Sequence, residues 1–103
     1  MIDKTKIIDV VCERIGKLPV GHYLDMKTYK RNRTVIIAKK KEKELLVIED
    51  GYFKGRFLIK PEKLRKLLKT LLKKEFPRSK KIRLYTMGKF MEKEALITHR
   101  KII

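Results

Sequence analysis

KGRFLIKPEKLRKLLKTLLKKEF, residues 54–76, holds a strand, a helix and the boundary between them in one run. Pro61 suits the first helical position, where the missing N–H has no partner to lose and the fixed φ already matches a helix. Glu62 falls in the first turn and Lys73 and Lys74 in the last, each favourable against the helix dipole. Leu64, Leu67, Leu68, Leu71 and Leu72 recur at i, i+3, i+4, i+7 and i+8, one broad apolar stripe. Lys66, Lys69 and Lys73 lie opposite it, a pattern that reads as a solvated face. Glu75 lands inside the stripe, so the regular helix is expected to loosen there, before Pro77. A stripe this rich in leucine must cover something apolar, and the strands just before it are the candidate.

Working outward, residues 52–59 alternate, with Phe53, Phe57 and Ile59 inward and Tyr52, Lys54 and Arg56 outward. Gly55 in the middle marks a bulge or a close backbone approach. Asp50-Gly51 is a hairpin signal. Before it, residues 34–40 and 44–49 are apolar on both faces (Val35, Ile36, Ile37; Leu45, Leu46, Val47, Ile48), which predicts central strands covered on both sides. Helices of the chain supply one cover, and a second subunit is a candidate for the other. Residues 22–30 alternate again: Leu24, Met26 and Thr28 one way, Tyr23, Asp25, Lys27 and Tyr29 the other. Residues 3–15 read as a first helix, with Asp3 as N-cap and Gly16 as its stop. Beyond Pro77, residues 82–87 read as a fifth strand with Arg83 and Tyr85 on one face, turned by Gly88. Residues 90–103 are either a last strand or a short helix. The expected class is α+β: an N-terminal helix, an antiparallel four-stranded meander, the amphipathic helix, and one or two further strands, all in one domain.

The 103 residues carry 29 Lys+Arg against 12 Asp+Glu, a net charge of +17. That balance predicts a polyanionic partner, nucleic acid before an anionic membrane surface. There is no Gln, one Asn (Asn32) and one Ser (Ser79), with abundant Lys and Glu, which resembles hyperthermophile usage. Thermophily brings matching Glu with its Lys, so it accounts for charge density better than for sign. One cysteine, Cys12, excludes an internal disulfide and a Cys-based zinc site; it reads as a small half-buried hydrophobe. The longest apolar runs, Val35–Ala38 and Leu45–Ile48, are four residues each, too short to span a bilayer. No secretory signal is evident, and the expected location is cytoplasmic, at the nucleoid if the ligand is DNA.

The charge is clustered. Residues 27–43 sum to +7 and residues 78–101 to +6, while residues 44–60 sum to zero. Both clusters interleave cations with tyrosine, in Lys27-Thr28-Tyr29-Lys30-Arg31-Asn32-Arg33 and Lys80-Lys81-Ile82-Arg83-Leu84-Tyr85. Lys and Arg neutralise phosphates and release counterions, while an exposed ring stacks an unpaired base for about 1–3 kcal/mol. Duplexes hide the faces of their bases, so this pairing of residue types fits single strands better. Taken singly, the tyrosines are equally ordinary strand residues. The candidate contact set is Tyr23, Lys27, Tyr29, Lys30, Arg31, Arg33, Tyr52, Lys54, Arg56, Arg83 and Tyr85.

Little points to catalysis. His22 and His99 are isolated, no phosphate-binding glycine loop exists, and neither a metal nor a cofactor is implied. The one enzymatic alternative is a metal-dependent nuclease using Glu13, Asp25 and Lys27, which requires carboxylates converging on a divalent ion. A second alternative is an RNA- or ribosome-associated structural protein that coats folded RNA.

Lys54-Gly55-Arg56-Phe57-Leu58-Ile59-Lys60-Pro61-Glu62 resembles the K-G-φ-S-L-x-P-E sequence that ends the last strand and opens the helix in single-stranded DNA binders of the transcriptional positive-coactivator class. Phe57 or Leu58 stands at the serine of that pattern. The added N-terminal helix and the Lys/Glu-rich composition are more similar to the archaeal ThermoDBP-related proteins. The resemblance covers residues 22–76, about half the chain. It implies a curved antiparallel sheet packed on helices, a homodimer, and sequence-tolerant binding of single-stranded DNA or RNA, with DNA favoured. By position it assigns contact to Tyr23, Lys27, Tyr29, Lys30, Lys54 and Arg56.

Overall fold

Pro61 opens the leucine-rich helix and Glu75 ends it in the computed structural model, which describes residues 2–28, 33–51 and 53–90. The elements run β1 (Ile2–Asp3), α1 (Lys4–Lys17), β2 (His22–Lys27), β3 (Thr34–Lys41), β4 (Glu44–Asp50), β5 (Lys54–Ile59), α2 (Pro61–Glu75) and β6 (Lys81–Lys89). They form one antiparallel six-stranded sheet in the order β1-β6-β2-β3-β4-β5. The meander β2–β5 matches the alternation read from the sequence. The further strands do not extend it past β5: β6 returns to pair with β2, and the two-residue β1 closes that edge.

Both helices lie on one face, called here the inner face. Ile7, Val11 and Ile15 of α1 and Leu64, Leu68, Leu71 and Leu72 of α2 share one core with Leu24, Met26, Val35, Ile37, Leu45, Val47 and Ile82 of the sheet. Phe76, fully buried at the end of α2, seals it. The alternation in β2 holds, with Leu24, Met26 and Thr28 buried and Tyr23, Asp25 and Lys27 half-buried on the other side. Val35–Ala38 and Leu45–Ile48 are buried throughout, as apolar residues on both faces of a strand require.

Several local expectations change. Gly16 does not stop α1, which runs one residue further to Lys17 and is capped by Leu18. Its closing carbonyls are met instead by Lys39, buried on the inner face, whose Nζ donates to Ile15 O at 3.1 Å. A cation at a helix C-terminus is favourable there. The positive φ falls at Gly21, +93°, where the chain turns into β2. Asp3 sits at the N-cap without capping; its carboxylate pairs with Lys81 across β1 and β6, and that bond holds its pKa below the usual carboxylate value. Gly55 is a close approach and not a bulge: the β4–β5 register is unbroken, and an added Cβ would meet the Phe57 ring at 3.2 Å. Phe53, expected inward, is 55% exposed because β5 begins after it. Its ring lies 4.8 Å beneath Lys74 Nζ. Gly88 continues β6 instead of turning it.

Glu75 stays in the stripe and is fully buried. The side chain reaches over Gly51, where a Cβ would overlap Oε1, and Oε2 accepts the Phe53 N–H at 2.9 Å. Glu49 of β4 is buried beside it, at 2% exposure. The Glu75 carboxyl thus holds Gly51 and Phe53 from below.

Candidate nucleic-acid interface

The register across β6-β2-β3-β4-β5 sets the outer-face side chains, those away from the helices, in three rows. The first is Arg83, Lys27, Thr34, Asp50 and Lys54. The second is Tyr85, Asp25, Ile36, Ile48 and Arg56. The third is Met87, Tyr23, Ala38, Leu46 and Leu58. Polarity therefore changes along the strands: the cations gather at the end where β2 finishes and β3 and β5 begin, and the other end is apolar.

This gradient narrows the expected platform. Ile36, Ala38, Leu46 and Ile48, at the centre, are only 1–7% exposed, with Tyr23 and Phe90 packed against them. The Tyr23 and Phe90 rings meet edge-on at 5.4 Å. Tyr23 is thus held by an apolar cluster, and the outer face is not an open field of rings and cations.

The cationic end is better defined. Lys54 and Arg56 are exposed on the edge strand, and Arg83 and Tyr85 are half-buried on β6. Lys27 Nζ lies 3.2 Å from Asp25 Oδ2 and 3.1 Å from Thr34 Oγ1, which fix its orientation. Arg33 has a different position from the one its sequence neighbours suggest. Its guanidinium donates to Glu75 O at 2.8 Å and ties the entry to β3 to the end of α2. Tyr29, Lys30, Arg31 and Tyr52 lie outside the described residues.

The nuclease constellation does not assemble. Asp25 and Lys27 pair on the outer face, whereas Glu13 sits on α1, on the far side of the sheet, bonded to Lys17 at 3.4 Å. Among the described residues no group of three or more His, Cys, Asp or Glu converges to hold a metal ion. Cys12 is half-buried, and burial pushes its thiol pKa up, away from reactivity. No described helix is long and apolar enough to cross a membrane.

Two features were hidden in the sequence. Asp25 and Asp50 stand among the cations of the outer face, so part of that charge is neutralised locally. The α2 lysines, read as a solvated side, have no such acids beyond Glu62 in the first turn. Comparison with protein-family models, with curated proteins and with solved structures returns no match.

Proposed function

We propose that the protein binds single-stranded nucleic acid without catalysis, DNA in preference to RNA. The strand sits at the cationic end of the outer sheet face. The observation that carries this reading is the register, which aligns Arg83, Lys27 and Lys54 in one row and puts Tyr85 and Arg56 in the next. Phosphates meet the cations, and unpaired bases stack beside them on tyrosine, with Tyr85 the described ring in place. Tyr29 and Tyr52, whose chain neighbours border the same end, extend the set by sequence.

Competition tests the reading. A labelled single strand should be displaced by unlabelled single-stranded DNA far more effectively than by structured RNA or by a duplex of equal length. Tyr85→Leu removes one stacking surface and should weaken single-strand binding by roughly 5- to 150-fold, the equivalent of about 1–3 kcal/mol. Unchanged affinity in that variant, with structured RNA the better competitor, favours an RNA-coating protein instead.

A further inference from the structure

The exposed side of α2 carries Glu62, Lys63, Lys66, Lys69, Thr70 and Lys73. None of its four lysines makes an ion pair among the described residues. Several cations elsewhere are answered, although Lys6, Lys40, Lys43 and Lys54 also make no ion pair among the described residues. Lys17 pairs with Glu13, Lys27 with Asp25, Lys41 with Glu44, Arg65 with Asp9 and Lys81 with Asp3. The neighbouring helix shows the contrast, since the exposed residues of α1 mix Lys6, Arg14 and Lys17 with Asp9 and Glu13.

A side that serves only solvation has no reason to exclude acids past its first turn. Like charges three and four residues apart on a helix repel, and Lys63, Lys66, Lys69 and Lys73 form three such steps in succession. A glutamate at any of them would convert repulsion into attraction. A bound polyanion would remove the same cost, and it is the one ligand class that would use every lysine in the row.

We infer that this lysine row is a second nucleic-acid surface, which binds the phosphate backbone of a duplex. Spacing and chemistry both fit. At 1.5 Å per residue, Lys63 to Lys73 spans about 15 Å, the rise of four to five nucleotides of one duplex strand at about 3.4 Å each. The row contains no aromatic side chain, so it reads phosphates and offers unpaired bases nothing to stack on. Duplex DNA, whose bases are hidden, loses nothing there. Because α2 covers the inner face, this surface lies across the sheet from the cationic end that carries Tyr85. One molecule therefore holds a single strand on one side and a duplex on the other. That bridging rests on the single-strand reading of the sheet; duplex binding by the helix does not.

The test uses the full chain and the variant Lys66→Gln/Lys69→Gln/Lys73→Gln. These exposed substitutions relieve repulsion within α2 and should leave thermal unfolding unimpaired. In direct titration the variant should bind a duplex at least 10-fold more weakly. Its slope of log affinity against log salt should be shallower by about 0.9 for each phosphate the helix no longer neutralises. Affinity for oligothymidine should stay within about twofold. On beads carrying oligothymidine, the native protein should capture labelled duplex and the variant should not. Equal duplex affinity in the two proteins overturns the inference, as does binding of phosphatidylserine vesicles, but no duplex, through these lysines. Duplex binding that depends on the lysines in a protein that ignores oligothymidine leaves the helix surface standing and removes the sheet reading.

Discussion

Phe76→Ala is expected to lower the free energy of unfolding by about 3–5 kcal/mol, measured by urea denaturation. Phe76 is completely buried at the point where α2 ends, in the core shared by both helices and the sheet. The truncation opens a cavity that its neighbours cannot close, because each is fixed in a helix or strand. The residue also organises the chain's return. Its carbonyl accepts bonds from Lys4 Nζ and from the Ser79 N–H, which join the start of α1 and the approach to β6 to the end of α2. A domain of this size has about 5–15 kcal/mol in total, so the change removes a large share. Melting should fall by more than roughly 10 °C. Leu58→Ala is the contrast: Leu58 is 63% exposed, and its loss should stay within about 0.5 kcal/mol. A loss below about 1 kcal/mol for Phe76→Ala would mean that the two helices do not share one core.

The second large effect is a dependence of stability on pH. Glu49 is buried beside Glu75, and both burial and that neighbouring carboxyl raise its pKa above the usual carboxylate value. Lys74, with Nζ 3.5 Å from Glu49 Oε1, pulls the other way and is outweighed. Arg33, also on this side, donates to the backbone of Glu75. Across the strands Glu49 faces Val35 and Gly55, which carry no charge. Glu49 Oε2 is buried with no hydrogen-bond partner among the described residues, so the charged form is poorly satisfied there.

The folded state thus holds the Glu49 proton more tightly than the unfolded chain, whose glutamates titrate at about 4.3. The stabilisation is complete below that value and is lost as pH rises through the raised folded pKa. The slope there reaches about 1.4 kcal/mol per pH unit for one proton. Urea denaturation at successive pH values should show unfolding becoming easier across that window, and Glu49→Gln should flatten the dependence. Stability that rises over the window, or an unchanged slope in the variant, contradicts the raised pKa of Glu49.

What the sequence revealed and what it concealed follow from the range of the interactions. α2 was readable residue by residue, because Pro61, Glu62 and the leucine spacing are local signals. The buried lengths of β3 and β4 were readable too, since apolar residues on both faces leave no other placement. The position of β6 was not. Pairing of Leu84 with Met26 spans most of the chain, and no local pattern encodes it. Glu75 misled in the same way, and the burial of Lys39 left no local sign. Each is a charged residue buried for a partner distant in sequence, Lys39 for the end of α1 and Glu75 for the Phe53 amide. At the candidate site, alternation placed Tyr23, Lys27, Lys54 and Arg56 outward, and Arg83 and Tyr85 on one face of their own strand. It could not show that Ile36 and Ile48 divide that side, nor that Arg33 turns back to α2.

The most direct measurement is the salt dependence of oligothymidine binding by the native protein and by Lys54→Ala/Arg56→Ala. Both side chains are exposed on the edge strand, so their removal should leave the fold intact. The double variant should bind at least 10-fold more weakly, with a slope of log affinity against log salt shallower by about 1.4, or about 0.7 for each phosphate no longer contacted. An unchanged affinity and slope would place the bound strand elsewhere on the molecule and contradict the sheet as its site.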